Sequence, residues 1–274
     1  MGRRCAHYRL SRPVGGSPVT LFNHRQERIL AQLQTTDLLQ VDALADQFQV
    51  SQQTVRKDIN QLSEQGLVRR VHGGVSLPAP LHNASFESRQ ATNAPLKQQI
   101  ARKVAEVIPD GACVFLGIGT TVSYAARALS EHQDMRILTN NLRAAEHLSE
   151  SPHHEVFVSG GRLRPADQDV VGELTTRFFD GFYADYGVIG VGALHRTFGL
   201  MEYNPFEADV SKAIARNCRQ LVLVADDSKW QRNATVKTLP MTSVDVLVTN
   251  RLSPAQRGTI PAECRVFYPD GNDA

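Results

Sequence analysis

Residues 51–74 read SQQTVRKDINQLSEQGLVRRVHGG, and this stretch decides the fold of the first part of the chain. Val55, Ile59 and Leu62 recur at helical spacing, so one face of the segment is apolar. Ser51 stands where an N-cap belongs, and Gly66 has the identity and position of a helix stop. Leu67, Val68 and Val71 follow, with arginines between them and Gly73-Gly74 behind, which predicts a small hairpin. Upstream, Ile29, Leu30 and Leu33 form one apolar stripe and Leu44, Ala45 and Phe48 another. Ala45 is small where two helices must cross, and Val50-Ser51 supplies the turn between them. Three short helices and a hairpin make a winged helix-turn-helix.

That arrangement leaves Gln52, Gln53, Thr54, Arg56 and Lys57 on the outer face of the second helix of the turn. Glutamine can bond the edge of adenine and arginine or lysine that of guanine, while Ser51 and Thr54 suit phosphates or thymine methyls. Arg69, Arg70 and His72 in the hairpin would lie along the sugar-phosphate rails. A helical bundle with a merely solvated polar face is the bland alternative; the basic wing beside the helix favours double-stranded DNA as the partner. Charge agrees, since residues 1–80 carry a balance of +4 and residues 81–274 one of −2, within a total of +2.

With 42% hydrophobic and 21% charged residues the chain is too apolar for disorder and too mixed for a fibre. Its longest apolar stretches, such as Gly187 to Leu194, fall far short of the ~18 residues of a membrane span. No secretory signal opens it, so a cytoplasmic protein with no membrane partner is expected. Cys5, Cys113, Cys218 and Cys264 lie far apart, and the nine histidines form no H-E-x-x-H or H-x-x-x-H group. A disulfide framework, a metal site and a cofactor are therefore not expected. Residues 1–22 show no sustained periodicity and are expected to be a disordered extension, followed by the DNA-binding domain over 23–78. Pro78, Pro80 and the polar run behind them mark a linker over 79–90.

From about residue 91 to 270 the rhythm changes to α/β. A helix is expected at about Pro95 to Val107, then an apolar strand Cys113 to Leu116, a Gly-rich turn and a helix from about Val122 to Ser130. Further strands are expected at Met135 to Thr139, Glu155 to Val158, Tyr186 to Val191, Leu221 to Ala225 and Val244 to Val248, with helices through Leu148 and near Glu207 to Asn217. Near-continuous apolar strands alternating with helices predict a mostly parallel sheet covered on both faces.

Gly117-Ile-Gly-Thr-Thr121 joins a strand to a helix, and glycines, free N–H groups and two hydroxyls are a recipe for holding a phosphate. A turn of this kind also needs glycine for its geometry alone. Polar turns recur at Thr139-Asn140-Asn141, Ser159-Gly160-Gly161 and Asp226-Asp227-Ser228-Lys229. In a parallel sheet these strand ends share one edge, where open α/β folds bind ligands. Candidate carboxylates exist in Asp185, Glu202, Glu207 and Asp226, but nothing in their spacing pairs them as an acid and a base.

The stretch from Arg25 to Val75 closely resembles the N-terminal domain of the DeoR family of bacterial transcription regulators, and KQQIARKVAEVIPDG, GIGTT, ILTNN, VSGGRLR, DYGVIGVGAL and VADDSK resemble that family's sensor domain. Gln49 stands where the family usually has glycine, a change the turn should tolerate at negative φ. Leu96-Lys97 replaces a frequent Glu-Lys, which leaves no acid at 96. The resemblance implies a sensor similar to ribose-5-phosphate isomerase and a repressor released from its operator by a phosphorylated sugar or polyol, glycerol 3-phosphate among them. It implies phosphate contacts from Gly119, Thr120 and Thr121 and polar contacts from Asn140, Gly160, Lys212 and Lys229. A homo-oligomer is expected, because paired readers match half-sites ~34–36 Å apart. The alternatives are a sugar-phosphate isomerase-like enzyme with an added DNA-binding domain, or a sensor fold that serves only for oligomerisation.

Overall fold

The computed structural model describes residues 22–33, 36, 38–64, 67–71, 73–76 and 83–271. The extension before Phe22, the Gly66 stop, His72 and the Pro78–Pro80 stretch lie outside them. The chain divides into two compact units, Met1–Pro78 and Ala79–Ala274.

In the first unit α1 (His24–Leu33), β1 (Leu39–Gln40), α2 (Val41–Phe48) and α3 (Gln52–Glu64) precede a wing of β2 (Arg69–Val71) and β3 (Gly74–Ser76). The wing is antiparallel and β1 adds to its far edge, giving the order β1-β3-β2. Ile29, Leu44, Val55, Ile59 and Leu62 meet in one core, so each apolar stripe of the sequence faces inward. One expectation is corrected. Gln49, which caps α2, has φ +53° rather than a negative value. Its neighbour's N–H, from Val50, closes onto the carbonyl of Ala45 at 3.0 Å, the signature of a helix ending in the left-handed conformation that glycine favours.

The second unit opens with α4 (Phe86–Ala91) and α5 (Ala94–Val107). The stretch expected to be a linker is thus partly helical. Ser85 caps α4 by accepting the N–H of Ser88, and Phe86 is buried. There follow β4 (Cys113–Leu116), α6 (Thr120–Leu129), β5 (Arg136–Thr139), α7 (Leu142–Ser149), β6 (Glu155–Val158), β7 (Arg162–Arg164), β8 (Asp169–Val171) and α8 (Glu173–Asp180). Then come β9 (Ala184–Ile189), β10 (Ala193–His195), β11 (Gly199–Glu202), α9 (Pro205–Arg216), β12 (Cys218–Val224), β13 (Val236–Leu239), β14 (Val246–Val248), α10 (Pro254–Arg257) and β15 (Arg265–Phe267).

Seven of these strands form one parallel sheet in the order β15-β14-β12-β9-β4-β5-β6. Alternate residues serve opposite faces. Phe115, Leu221, Leu223 and Leu247 join one apolar core, while Val114, Leu116, Val222, Val224 and Val246 join the other with α5 and α6. The chain enters at β4, runs outward to β6, then returns to β9 on the other side of β4. Strand order therefore reverses between β4 and β9, and beyond their carboxyl ends the loops diverge and leave a crevice. A smaller antiparallel sheet, β10-β11-β13, and the β7-β8 hairpin complete the unit. Among the described residues no helix is long and apolar enough to cross a membrane.

Candidate functional site

On α3 the side chain of Ser51 accepts the N–H of Thr54 at 3.2 Å and pairs with the Thr54 hydroxyl at 2.9 Å, so both are committed to starting the helix. Gln52, Gln53, Arg56 and Lys57 are exposed, and Arg56 is steadied by a 3.3 Å bond to Gln52. Asp58, next along the helix, is turned inward, where Arg25 and Asn23 donate to it at 2.7 and 2.8 Å. The outward face is thereby left basic and rich in amides. Arg70 donates to Asn60 at 2.7 Å, tying the wing to α3 with one of its five N–H groups. Arg69 is exposed and, as the adjacent strand residue, faces the other side of the wing. His72 lies outside the described residues.

In the second unit the reversal point holds a small cavity of about 30 Å³, room for one water. Ile118, Gly119, Thr120 and Thr121 line it after β4, Gly190 and Gly192 after β9, Val224 at the end of β12 and Lys229 beyond it. Glu202 of β11, Glu207 of α9, and Asn83 and Arg89 at α4 complete the wall. Gly119 sits at φ +112° immediately before α6, so the first N–H groups of that helix face the space without a side chain in front. Thr120 and Thr121, the first two residues of α6, are each 5% exposed. Asn141 shapes this turn from behind. Its Nδ2 donates to the carbonyls of Gly117 and Gly119 at 3.3 and 3.2 Å, while its Oδ1 caps α7.

Electrostatics here are set by burial. Lys229 makes no hydrogen bond or ion pair with a described residue, and burial, reinforced by the charge of Arg232, lowers its pKa to about 7. Asp226 and Glu202 act in the opposite sense. Burial raises the Glu202 carboxyl well above the usual carboxylate range, and the charge of Glu207 adds to the rise. Lys97 is buried beneath α4, where its ammonium donates to the carbonyls of Arg89 and Thr92; burial lowers its pKa to about 8. Arg89 in turn pairs with Asp167 at 2.6 Å and donates to the carbonyl of Ala84 at 2.8 Å.

Three expected contacts fall elsewhere. Asn140 follows β5, one strand away from the reversal point, and is fully buried with its Nδ2 on the carbonyl of Val170 at 2.8 Å. Gly160 follows β6, two strands away, and is exposed. Lys212 lies five residues beyond Glu207 on α9, a rotation of ~140°. It faces a separate surface hollow with Asp209 and Arg216. Gly119, Thr120, Thr121 and Lys229 do come together. Arg89, Asn141, Gly192, Glu202 and Glu207 were not singled out as contacts, and Glu202 and Glu207, which spacing left unpaired, share one wall.

Residues 25–80 match the DeoR-like helix-turn-helix domain and residues 92–251 the DeoR C terminal sensor domain. The chain belongs to the DeoR family. It is 41% identical to the HTH-type transcriptional repressor CsqR of Escherichia coli K12, over 85% of this chain and 89% of that protein. The glycerol-3-phosphate regulon repressor of the same organism is 37% identical over 84% of this chain and 91% of its own length. Ribose 5-phosphate isomerase A from Methanocaldococcus jannaschii aligns with 50% of this chain and 55% of its own at 17% identity and a TM-score of 0.37, too low to equate the folds. As a DeoR-family regulator the protein carries its DNA reader and its sensor on separate units. The reader presents an open face, the sensor a small cavity.

Proposed function

We propose that this protein represses a carbohydrate or polyol catabolic operon and leaves its operator when a phosphorylated effector enters the sensor cavity. The observation that carries the reading is that Thr120 and Thr121, buried residues at a helix start, line the same cavity as Lys229. A phosphate there would receive backbone N–H bonds from the start of α6, hydroxyl bonds, and a charge-assisted bond from the lysine. Similarity to a glycerol-3-phosphate regulon repressor supports glycerol 3-phosphate as the first effector to test.

Release follows from the size of the cavity. A phosphorylated polyol needs more room than a cavity of about 30 Å³, so its entry would displace the wall. Arg89 and Asn83 are the wall residues contributed by the segment that follows the DNA-binding unit in the chain. An effector phosphate would compete for Arg89 with Asp167 and so shift α4, the first helix of the sensor. The effector acts only through its preference for the shifted state. Operator binding by a homo-oligomer completes the reading, with Val158, Leu163, Leu174 and Tyr183 near edge strand β6 as exposed apolar surface for pairing.

The test is a gel-shift titration of operator DNA against the full chain, with and without sugar and polyol phosphates. Loss of the shifted band on adding one of them is expected. A second reading, an isomerase-like enzyme, draws on Glu202, Glu207 and Lys229 sharing one cavity. Turnover above background in a coupled isomerase assay would overturn the repressor-only reading.

A further inference from the structure

Two acids in the wall of a phosphate site need a reason, since an anion beside a phosphate repels it. Glu207 is fully engaged: Arg164 donates to its Oε1 at 2.7 Å, and the N–H of Asn204 donates to its Oε2 at 3.2 Å. Arg164 is also held by Asp169 through two bonds of 2.6 and 2.8 Å, which fixes Glu207 from behind. Glu202 is different. It is 4% exposed and has no cation at ion-pair distance among the described residues. Its Oε2 lies so close to Gly192 that a Cβ there would approach within 2.7 Å, so only glycine leaves it room. Its charged neighbours are the Glu207 carboxylate, which raises its pKa, and the Lys229 ammonium, which acts in the opposite sense.

Two carboxyl groups can bond to each other only if one carries a proton. Arg164 pairs with Glu207 at 2.7 Å, while Glu202 has no such partner and burial raises its carboxyl well above the usual carboxylate range, so the proton belongs on Glu202. A neutral carboxylic acid adds no charge against a phosphate. Its oxygens can still accept a bond from a ligand hydroxyl, whereas a ligand carboxylate would meet acceptors and the nearby charge of Glu207. We propose that Glu202, held in place by Glu207 and Gly192, determines the specificity of the sensor by reading a hydroxyl on the carbon chain of a phosphate ester and rejecting phosphorylated carboxylates. This rests on the reading of the cavity as the effector site, and it adds the chemistry of the ligand's other end.

The experiment compares inorganic phosphate, glycerol 3-phosphate, ribose 5-phosphate and 3-phosphoglycerate by isothermal titration with the full chain. Wild type should bind the better of the two hydroxyl-bearing esters more tightly than inorganic phosphate, and 3-phosphoglycerate no more tightly than phosphate. E202Q, which imitates the protonated acid, should keep that preference. E202L should lose roughly 3- to 10-fold in affinity for the ester, the scale of one neutral hydrogen bond, with phosphate affinity unchanged. E202L keeping the wild-type ratio of ester to phosphate would overturn the proposal, as would E202Q losing that ratio to the same degree as E202L. Tighter binding of 3-phosphoglycerate than of either ester by wild type would overturn it without any variant having to fold. If wild type binds inorganic phosphate but discriminates nothing, the effector reading survives and this proposal falls. If it binds none of the four, both fall.

Discussion

On α3, Gln52, Gln53, Arg56 and Lys57 stand within six consecutive positions and face solvent. The sensor cavity instead draws Thr120, Gly192, Glu202, Glu207 and Lys229 from five separate segments and encloses them. A reader for a long polyanion must be exposed and continuous, and its affinity comes from many weak contacts in water. A reader for a small anion gains by excluding water, because each bond is stronger in a low-dielectric space. The cost appears in the shifted pKa values of Lys229 and Glu202.

If the two regions are independent in this sense, substitutions should separate them. The largest effect is expected from Lys229→Ala or Thr121→Val. Removing one bond to a charged phosphate should weaken effector binding roughly 10- to 150-fold, yielding a repressor that stays on its operator at effector concentrations that release wild type. Operator affinity without effector should stay near wild type. Gel shifts with and without effector decide this, and variants that still release at the wild-type concentration would remove these residues from the site.

The next effect lies on the DNA side. Arg56→Ala should cost ~1–3 kcal/mol on the preferred operator if it reads a base bidentately, and should relax preference at one position. Arg70→Ala should weaken all sequences alike and reduce the slope of log affinity against log salt by about one. Binding isotherms at several salt concentrations on matched and mutated operators test both. A change in base preference with Arg70→Ala alone would reverse the assignment.

A pH dependence should mark the sensor and not the reader. The free protein holds Lys229 at a pKa of about 7, and a bound phosphate dianion would raise it. Between those two values binding takes up a proton, so effector affinity should fall as pH rises above about 7. Below ~6 the ester itself becomes a monoanion, which places the optimum near neutrality. Glu202, Asp226, Arg232 and Arg89 face the lysine and are present in both states. Calorimetry in two buffers of different ionisation heat should show proton uptake at pH 8 that disappears in Lys229→Met. In the absence of effector the sign reverses. The unfolded chain keeps this lysine protonated up to ~10.4, so the folded protein should gain stability from it as pH rises above about 7.

The same contrast governs what the sequence discloses. The apolar stripe Val55, Ile59, Leu62 defines α3, and its outer face follows by subtraction, because a helix period is written in neighbouring letters. Thr120 and Thr121 were legible for the same reason, sitting at one strand-to-helix turn. The strand order that brings β9 beside β4 is not written locally, so Gly192, Glu202 and Glu207 could not be placed, and Asn140 and Gly160 were placed one and two strands too near. Glu202 carried one faint signal: an acid immediately after the apolar pair Leu200-Met201, at the end of a buried strand.

The smallest expected effect tests the one local feature of the reader that local reasoning missed. Gln49 occupies φ +53° and ψ 45°, where its Cβ crowds the backbone and costs ~1–2 kcal/mol relative to a right-handed position. Glycine removes that crowding but gives the unfolded chain more freedom, ~0.5–1 kcal/mol in the opposite sense. Gln49→Gly should therefore stabilise the reader by about 0.5–1 kcal/mol, observed as a later urea midpoint for the unfolding of α1 to α3, with sensor unfolding unchanged. Gln49→Val should lower it, since a β-branched side chain tolerates positive φ least. Operator contacts should be untouched by either, because Gln49 precedes the exposed face of α3 and only ends α2. A Gln49→Gly variant no more stable than wild type would mean that the turn relaxes to negative φ in solution, as the sequence reading supposed.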